Sequence, residues 1–173
     1  MKFQIEQALE ILAQTPVTVK SLVGNLSDDW IKNQTNSENW SPFDVVGHLI
    51  HGEETDWIPR AEIILAQAGN VTFEPFDRFA QTEKSKGKTL SQLLENFAEL
   101  RSANLAKLRA MNLTEEKLQL KGIHPELGEV TLEQLLATWT VHDLTHIRQI
   151  VTVLASKYSE NVGVWKAYLS ILQ

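Results

Sequence analysis

Cysteine is absent from the 173 residues, and that removes disulfides, thiolate zinc sites and a cysteine nucleophile together. Any transition metal must therefore be held by His, Asp or Glu. Concentrated positive charge is also missing, since the formal net charge is -6 and no Lys/Arg cluster occurs. Binding to a phosphate backbone depends on such a cluster, so no nucleic acid is expected as a partner. No apolar run approaches the roughly 20 residues of a membrane span. The start, Met1-Lys2-Phe3-Gln4-Ile5-Glu6, has neither the apolar stretch nor the small-residue cleavage site of an export signal. A cytoplasmic protein without a membrane partner is the expectation.

What is present, 43% hydrophobic and 22% charged residues, suits a globular chain able to bury a core as one domain over residues 1–173. Phe3, Ile5, Ala8, Leu9 and Leu12 begin a helical period, and Thr15-Pro16 then offers an N-cap and a first-turn proline. One kinked helix or two in tandem should reach Gly24. A short turn of helix follows at Leu26–Trp30, then a polar loop from Asn33 to Asn39. Ser41-Pro42 with Asp44 is a strong start signal for a helix running to about Ala68, bent at Pro59.

Periodicity is lost from Gly69 to Lys88, where Phe73, Phe76 and Phe79 stand three residues apart around Pro75. The segment reads as a lid over a pocket or as a crossover tied down by its phenylalanines. Its aromatics would also suit a homodimer contact. Thr89-x-x-Gln92 and Thr131-x-x-Gln134 have the form of capping boxes and open two long helices, the second reaching about Ser156. Between them, Gly122, Pro125 and Gly128 mark turns, with room for a small hairpin. After Gly163, Val164, Trp165, Tyr168, Leu169 and Leu172 form a short helix expected to dock on the rest. Four long helices and no clear strand pair give an all-α four-helix bundle with long crossover connections.

The last long helix carries the chemistry. His142 and His146 are four residues apart, which on a helix places their Cβ atoms roughly 5 to 6 Å apart on one face. Both fall in the apolar stripe of Leu135, Leu136, Trp139, Ile150 and Val153. A second apolar set, Ala137, Val141, Leu144, Ile147 and Val151, makes this the most buried helix expected. Such imidazoles are either core groups hydrogen-bonded to neighbours or metal ligands, and a third ligand would decide. His48 shares the inward stripe of Val45, Leu49 and Gly52, so it can face the pair across the bundle axis, with Gly52 leaving room beside it. Three neutral imidazoles would leave a coordination position free, as a reactive site requires. His124 lies in the Gly/Pro-rich connection and should be solvated.

Trp40-Ser-Pro-Phe-Asp-Val-Val-Gly-His-Leu-Ile-His-Gly-Glu53, with Asp56-Trp-Ile-Pro-Arg60, the Phe73–Gln81 loop and His142-Asp-Leu-Thr-His146-Ile-Arg-Gln149, resembles the DinB/YfiT-like family. This is the damage-inducible family, not the DNA polymerase of the same name. The resemblance covers nearly the whole chain. It implies a four-helix bundle holding a divalent metal through His48, His142 and His146. It also implies a low-molecular-weight thiol and a small electrophile as partners, because relatives include bacillithiol-dependent S-transferases and a mycothiol-dependent maleylpyruvate isomerase. The isomerase has Glu in place of one ligand. This chain has His at all three positions and is closer to the transferases.

The leading expectation is thus a divalent-metal-dependent enzyme, a thiol-dependent S-transferase, with zinc or nickel foremost and iron or cobalt also acceptable to three imidazoles. His51, Thr55 and Trp139, each within about a turn of a ligand, are pocket candidates, and Trp139 equally suits plain core packing. One alternative is a metal-dependent hydrolase with Asp143 as base and Glu160 as a distant ligand. Another is a non-enzymatic, metal-stabilised stress-response or binding module. Asp143 otherwise orients a ligand imidazole or is solvated on the helix surface. Asp56 and Arg60 have the spacing of a surface ion pair.

Overall fold

The computed structural model describes residues 2–32 and 40–173; the polar loop expected at Asn33–Asn39 lies outside them. The helices are α1 (Ile5–Val23), α2 (Asp28–Ile31), α3 (Pro42–Thr55), α4 (Trp57–Ala66), α5 (Ala80–Lys84), α6 (Leu90–Ala110), α7 (Glu115–Leu118) and α8 (Leu132–Ser156). Strands β1 (Lys121–His124) and β2 (Gly128–Thr131) form an antiparallel hairpin between α7 and α8. Helices α1, α3, α6 and α8 make a four-helix bundle in which α1 and α3 each pack against both α6 and α8. Among the described residues no helix is long and apolar enough to cross a membrane.

The start signals act as their chemistry dictates. Ser41, Thr89 and Thr131 each accept a hydrogen bond from the backbone N–H three residues on, and the side-chain oxygen of the acid or amide there accepts one from the cap's own N–H. The prolines act differently from expectation. Pro16 neither starts nor breaks a helix; α1 runs through it, and the Thr15 hydroxyl donates to Ile11 O at 3.1 Å instead of capping. Since Pro16 has no N–H, the Leu12 carbonyl one turn earlier loses its helical donor. A side chain described below replaces it. The break near Pro59 comes at Asp56, which puts the proline in the first turn of α4, where no intrahelical donor is needed.

Residues 69–88 are pinned to the hairpin: Phe73 N–H donates to Ile123 O and Ile123 N–H to Val71 O, both at 2.9 Å. Phe73 is buried in the core, while Phe79 is 63% exposed. Gly122 permits this, because a Cβ there would lie 2.7 Å from the Phe73 ring. The phenylalanines therefore divide the two roles: Phe73 ties the crossover down, and Phe76 covers the histidines.

Two apolar clusters fill the bundle. One gathers Leu12, Trp57, Ile64, Leu105, Leu136 and Trp139; the other gathers Val19, Val46, Leu49, Leu94, Phe97 and Ile150. Two expectations are corrected here. The outer apolar set of α8 is not buried, with Val141 61% and Leu144 47% exposed; α8 packs mainly against α1, α3 and α4, meets α6 through the buried Arg101–Asp143 pair, and keeps an open side. The C-terminal segment forms 3-10 turns (Gly163–Tyr168, Ser170–Leu172) rather than an α-helix; Ser170–Leu172 packs against α8, while Val164, Trp165 and Tyr168 lie in the open. A 3-10 turn repeats every three residues, so it cannot gather the i, i+4 positions onto one docking face.

Candidate metal centre

The capped start of α3 fixes its rotation, and two turns later His48 points into the bundle, 6% exposed. His142 and His146 come from the facing side of α8. The three side chains converge: His142 Nε2 lies 3.1 Å from His48 Nε2 and 3.0 Å from His146 Nε2. One nitrogen from each ring lies within 4.8 Å of the other two.

Burial and the neighbouring imidazoles hold these rings neutral. Burial, then the charges of the other rings, pushes His48 down to about 3 and His142 to about 2. His146 is lowered by burial against opposing contributions from Gln149 and Asp143. Gln149 Oε1, 2.7 Å from His146 Nδ1, accepts a hydrogen bond from that ring's Nδ1–H and leaves its Nε2 lone pair facing the cluster. Three ring nitrogens at this spacing can turn their lone pairs to one shared cation. A tetrahedral ion with metal–nitrogen bonds of about 2.0–2.1 Å would set its nitrogens about 3.3 Å apart. The donor set, and the two separations about His142 Nε2, fit a divalent transition metal to within a few tenths of an ångström. His48 Nδ1 and His142 Nδ1 are buried without a hydrogen-bond partner among the described residues.

Aromatic rings wall the cluster. Trp40 lies 4.7 Å from the His48 ring, Phe76 meets that ring edge-on at 5.5 Å, and Trp57 meets His142 edge-on at 5.0 Å. The space beside Gly52 is taken by Trp57, whose Nε1 would lie 3.2 Å from a Cβ at that position. A cavity of about 490 Å³ opens from the histidines between α4, the Phe76–Arg78 segment and the β hairpin. Asp56 and Arg60 line it as a buried ion pair rather than a surface one, with Arg60 Nε 2.5 Å from Asp56 Oδ1. Burial pushes the Asp56 carboxyl up to about 6, against the opposing pull of Arg60. His124, expected in solvent, is half-buried on the cavity wall, where its Nδ1 accepts from the Glu126 and Leu127 N–H groups at 3.2 Å.

The pocket candidates lie elsewhere. His51 is buried under Phe76 with Lys84 Nζ 3.2 Å from its Nδ1. Thr55 is exposed, and its hydroxyl donates to His51 O. Trp139 is fully buried, stacked on Trp57 at 5.7 Å, and donates from Nε1 to Glu53 Oε1.

Glu53 belongs to a buried polar layer that the sequence reading passes over. Arg101 on α6, 1% exposed, donates to Glu53 of α3 at 2.7 Å, to Asp143 of α8 at 2.6 Å and to Leu12 O of α1 at 2.7 Å. Leu12 O is the carbonyl that Pro16 frees. Asn104 donates to the other Glu53 oxygen at 3.0 Å. Asp143 is thus neither solvated nor available as a base, and its carboxylate oxygens both accept from Arg101. Glu160 is far out on the surface, its side chain 92% exposed beside Lys166. The metalloprotease-like arrangement of Asp143 and Glu160 is therefore absent. The signal for the layer was present: Arg101 and Asn104 fall at i+4 and i+7 from Phe97, on the inward stripe of α6.

A helical bundle with three imidazoles converging beside an open cavity defines a class of candidate metalloproteins. The chain belongs to the DinB superfamily, whose family model matches residues 11–150. A solved structure of YfiT from Bacillus subtilis, described as a probable metal-dependent hydrolase with an unusual four-helix bundle topology, superposes with a TM-score of 0.76. The two are 25% identical, and the match covers 91% of this chain and 89% of that one. No curated protein matches.

Proposed function

We propose that this protein is a divalent-metal-dependent enzyme in which His48, His142 and His146 hold the cation. The observation that carries this reading is the approach of His48 Nε2 and His146 Nε2 to 3.0–3.1 Å from His142 Nε2 at the inner end of an open cavity. Bound there by neutral ligands, a divalent cation would keep its full charge and so lower the pKa of a bound nucleophile. The chain's own part is to hold the three rings neutral, fix the His146 tautomer through Gln149, and wall the site with Trp40, Trp57 and Phe76. The nucleophile is a low-molecular-weight thiol transferred to a small electrophile. That choice rests on the resemblance to thiol-dependent relatives and on a protein that has no thiol of its own.

Hydrolysis by bound water is the second reading, and Asp56 favours it. This cavity-lining carboxyl, raised to about 6, can exchange a proton near neutrality. The name of the Bacillus subtilis relative points the same way. Elemental analysis of the purified protein and of a His142→Ala variant tests the shared foundation. About one equivalent of metal is expected in the first and a large loss in the second; equal contents would remove the centre. Parallel screens of the zinc-loaded and nickel-loaded protein, one for thiol conjugation and one for ester and amide hydrolysis, then separate the two nucleophiles.

A further inference from the structure

The basic side chains around the cavity are nearly all committed. Of the two arginines on its wall, Arg60 is held by Asp56 and by Glu74 O; behind the wall, Lys84 is held by Glu54 and Arg101 by Glu53 and Asp143. Arg78 is the exception: it lines the cavity and has no carboxylate partner among the described residues, in a chain with formal charge -6. Its guanidinium lies 5.9 Å from the Phe79 ring centre, and Phe79 is itself 63% exposed. An aromatic left in solvent beneath an unpaired guanidinium props that group at the rim without neutralising it. Arg78 is also near enough to His48 to disfavour a charge on that ring.

We propose that Arg78 is the specificity-determining residue of this cavity and selects a small organic substrate bearing an anionic group, a carboxylate or a phosphate. The guanidinium presents a planar fork of donors that matches either oxyanion. Phe76, two residues earlier, covers His48, so one short segment both roofs the histidines and presents the cation. A cavity of about 490 Å³ admits a molecule of metabolite size rather than a polymer. Phe76 and Leu127 supply apolar surface for the substrate's body. Glu126, also on the wall, stands next to His124 and disfavours a second anionic group on that side.

This inference deepens the metal-enzyme reading and rests on it for the reaction, but its test needs no metal. Benzoate, phenyl phosphate and the neutral isostere benzamide are titrated by NMR into chelator-treated wild type and into Arg78→Gln. Wild type is expected to bind at least one of the anions roughly fivefold more tightly than benzamide, the scale of one solvent-exposed charge-assisted contact. Arg78→Gln should lose that preference with benzamide affinity and melting temperature unchanged, and the stronger anion identifies carboxylate or phosphate. A wild type without the preference, including one that measurably binds neither anion, overturns the inference. So does a preference that persists in Arg78→Gln. Failure of the metal analysis above, with this preference intact, would remove the metal reading and leave Arg78 as the anion-selecting group.

Discussion

His142 is the most constrained residue of the centre, with both partner nitrogens within 3.1 Å and Trp57 against its face. Its neutrality has a thermodynamic consequence. The folded-state values of His48 and His142 lie far below the 6.5 of an unfolded chain, so the unfolded state binds protons first as pH falls. The stability these rings contribute is complete above pH 6.5 and lost as pH falls from there toward their folded values. In metal-free protein, urea unfolding should show a loss of about 2 kcal/mol between pH 7 and 5 for each ring that charges only on unfolding, the slope approaching about 1.4 kcal/mol per unit only well below pH 6.5. A His142→Gln variant should show a shallower dependence, and an identical slope would contradict the assignment. The histidine spacing was legible because two imidazoles at i, i+4 in an apolar stripe form a local pattern. Arg101 and Asn104 were not, because a polar residue on an inward stripe looks like an interruption until its partners on other helices are known.

Among the elements, α6 depends most on a single side chain. Arg101 satisfies two carboxylates and a carbonyl from three other helices, so removing it leaves Glu53 and Asp143 charged and unpaired in the interior. Burial already raises the Glu53 carboxyl despite Arg101. Arg101→Met should destabilise the fold by about 3 to 5 kcal/mol in urea unfolding. Breaking the α8 capping box with Thr131→Ala should cost only about 1 kcal/mol. The order of these two losses is the informative result, since comparable losses would mean that the polar layer is not holding the helices. Capping boxes and helix starts were readable because each is a contact within four residues. The end of α3 at Asp56 rather than Pro59 was not, because a proline accepts any of the first few helical positions and sequence alone does not choose among them.

At the scale of the molecule, the polar layer occupies the same level on all four long helices and divides the core in two. Leu12, Trp57, Leu105 and Leu136 lie on one side; Val19, Leu49, Phe97 and Ile150 lie on the other. The three-histidine cluster joins α3 to α8 beside this layer, so metal loading there should be felt globally. Zinc at 100 times its dissociation constant should stabilise the fold by about 2.7 kcal/mol. A thermal melt with and without chelator measures it, and His142→Ala should show no such shift. The bundle was foreseeable from four amphipathic periods, whereas the open outer face of α8 was not, because periodicity shows that a residue is apolar but not whether a neighbour covers it. Pro16 acts on this scale too. Sliding α1 by one turn would bring opposite Arg101 a carbonyl that already accepts from its own helix, so the guanidinium would have to share it. A missing hydrogen atom thus favours one depth for the first helix in the assembly, and a chain with alanine there would hold that alignment by its apolar side chains alone.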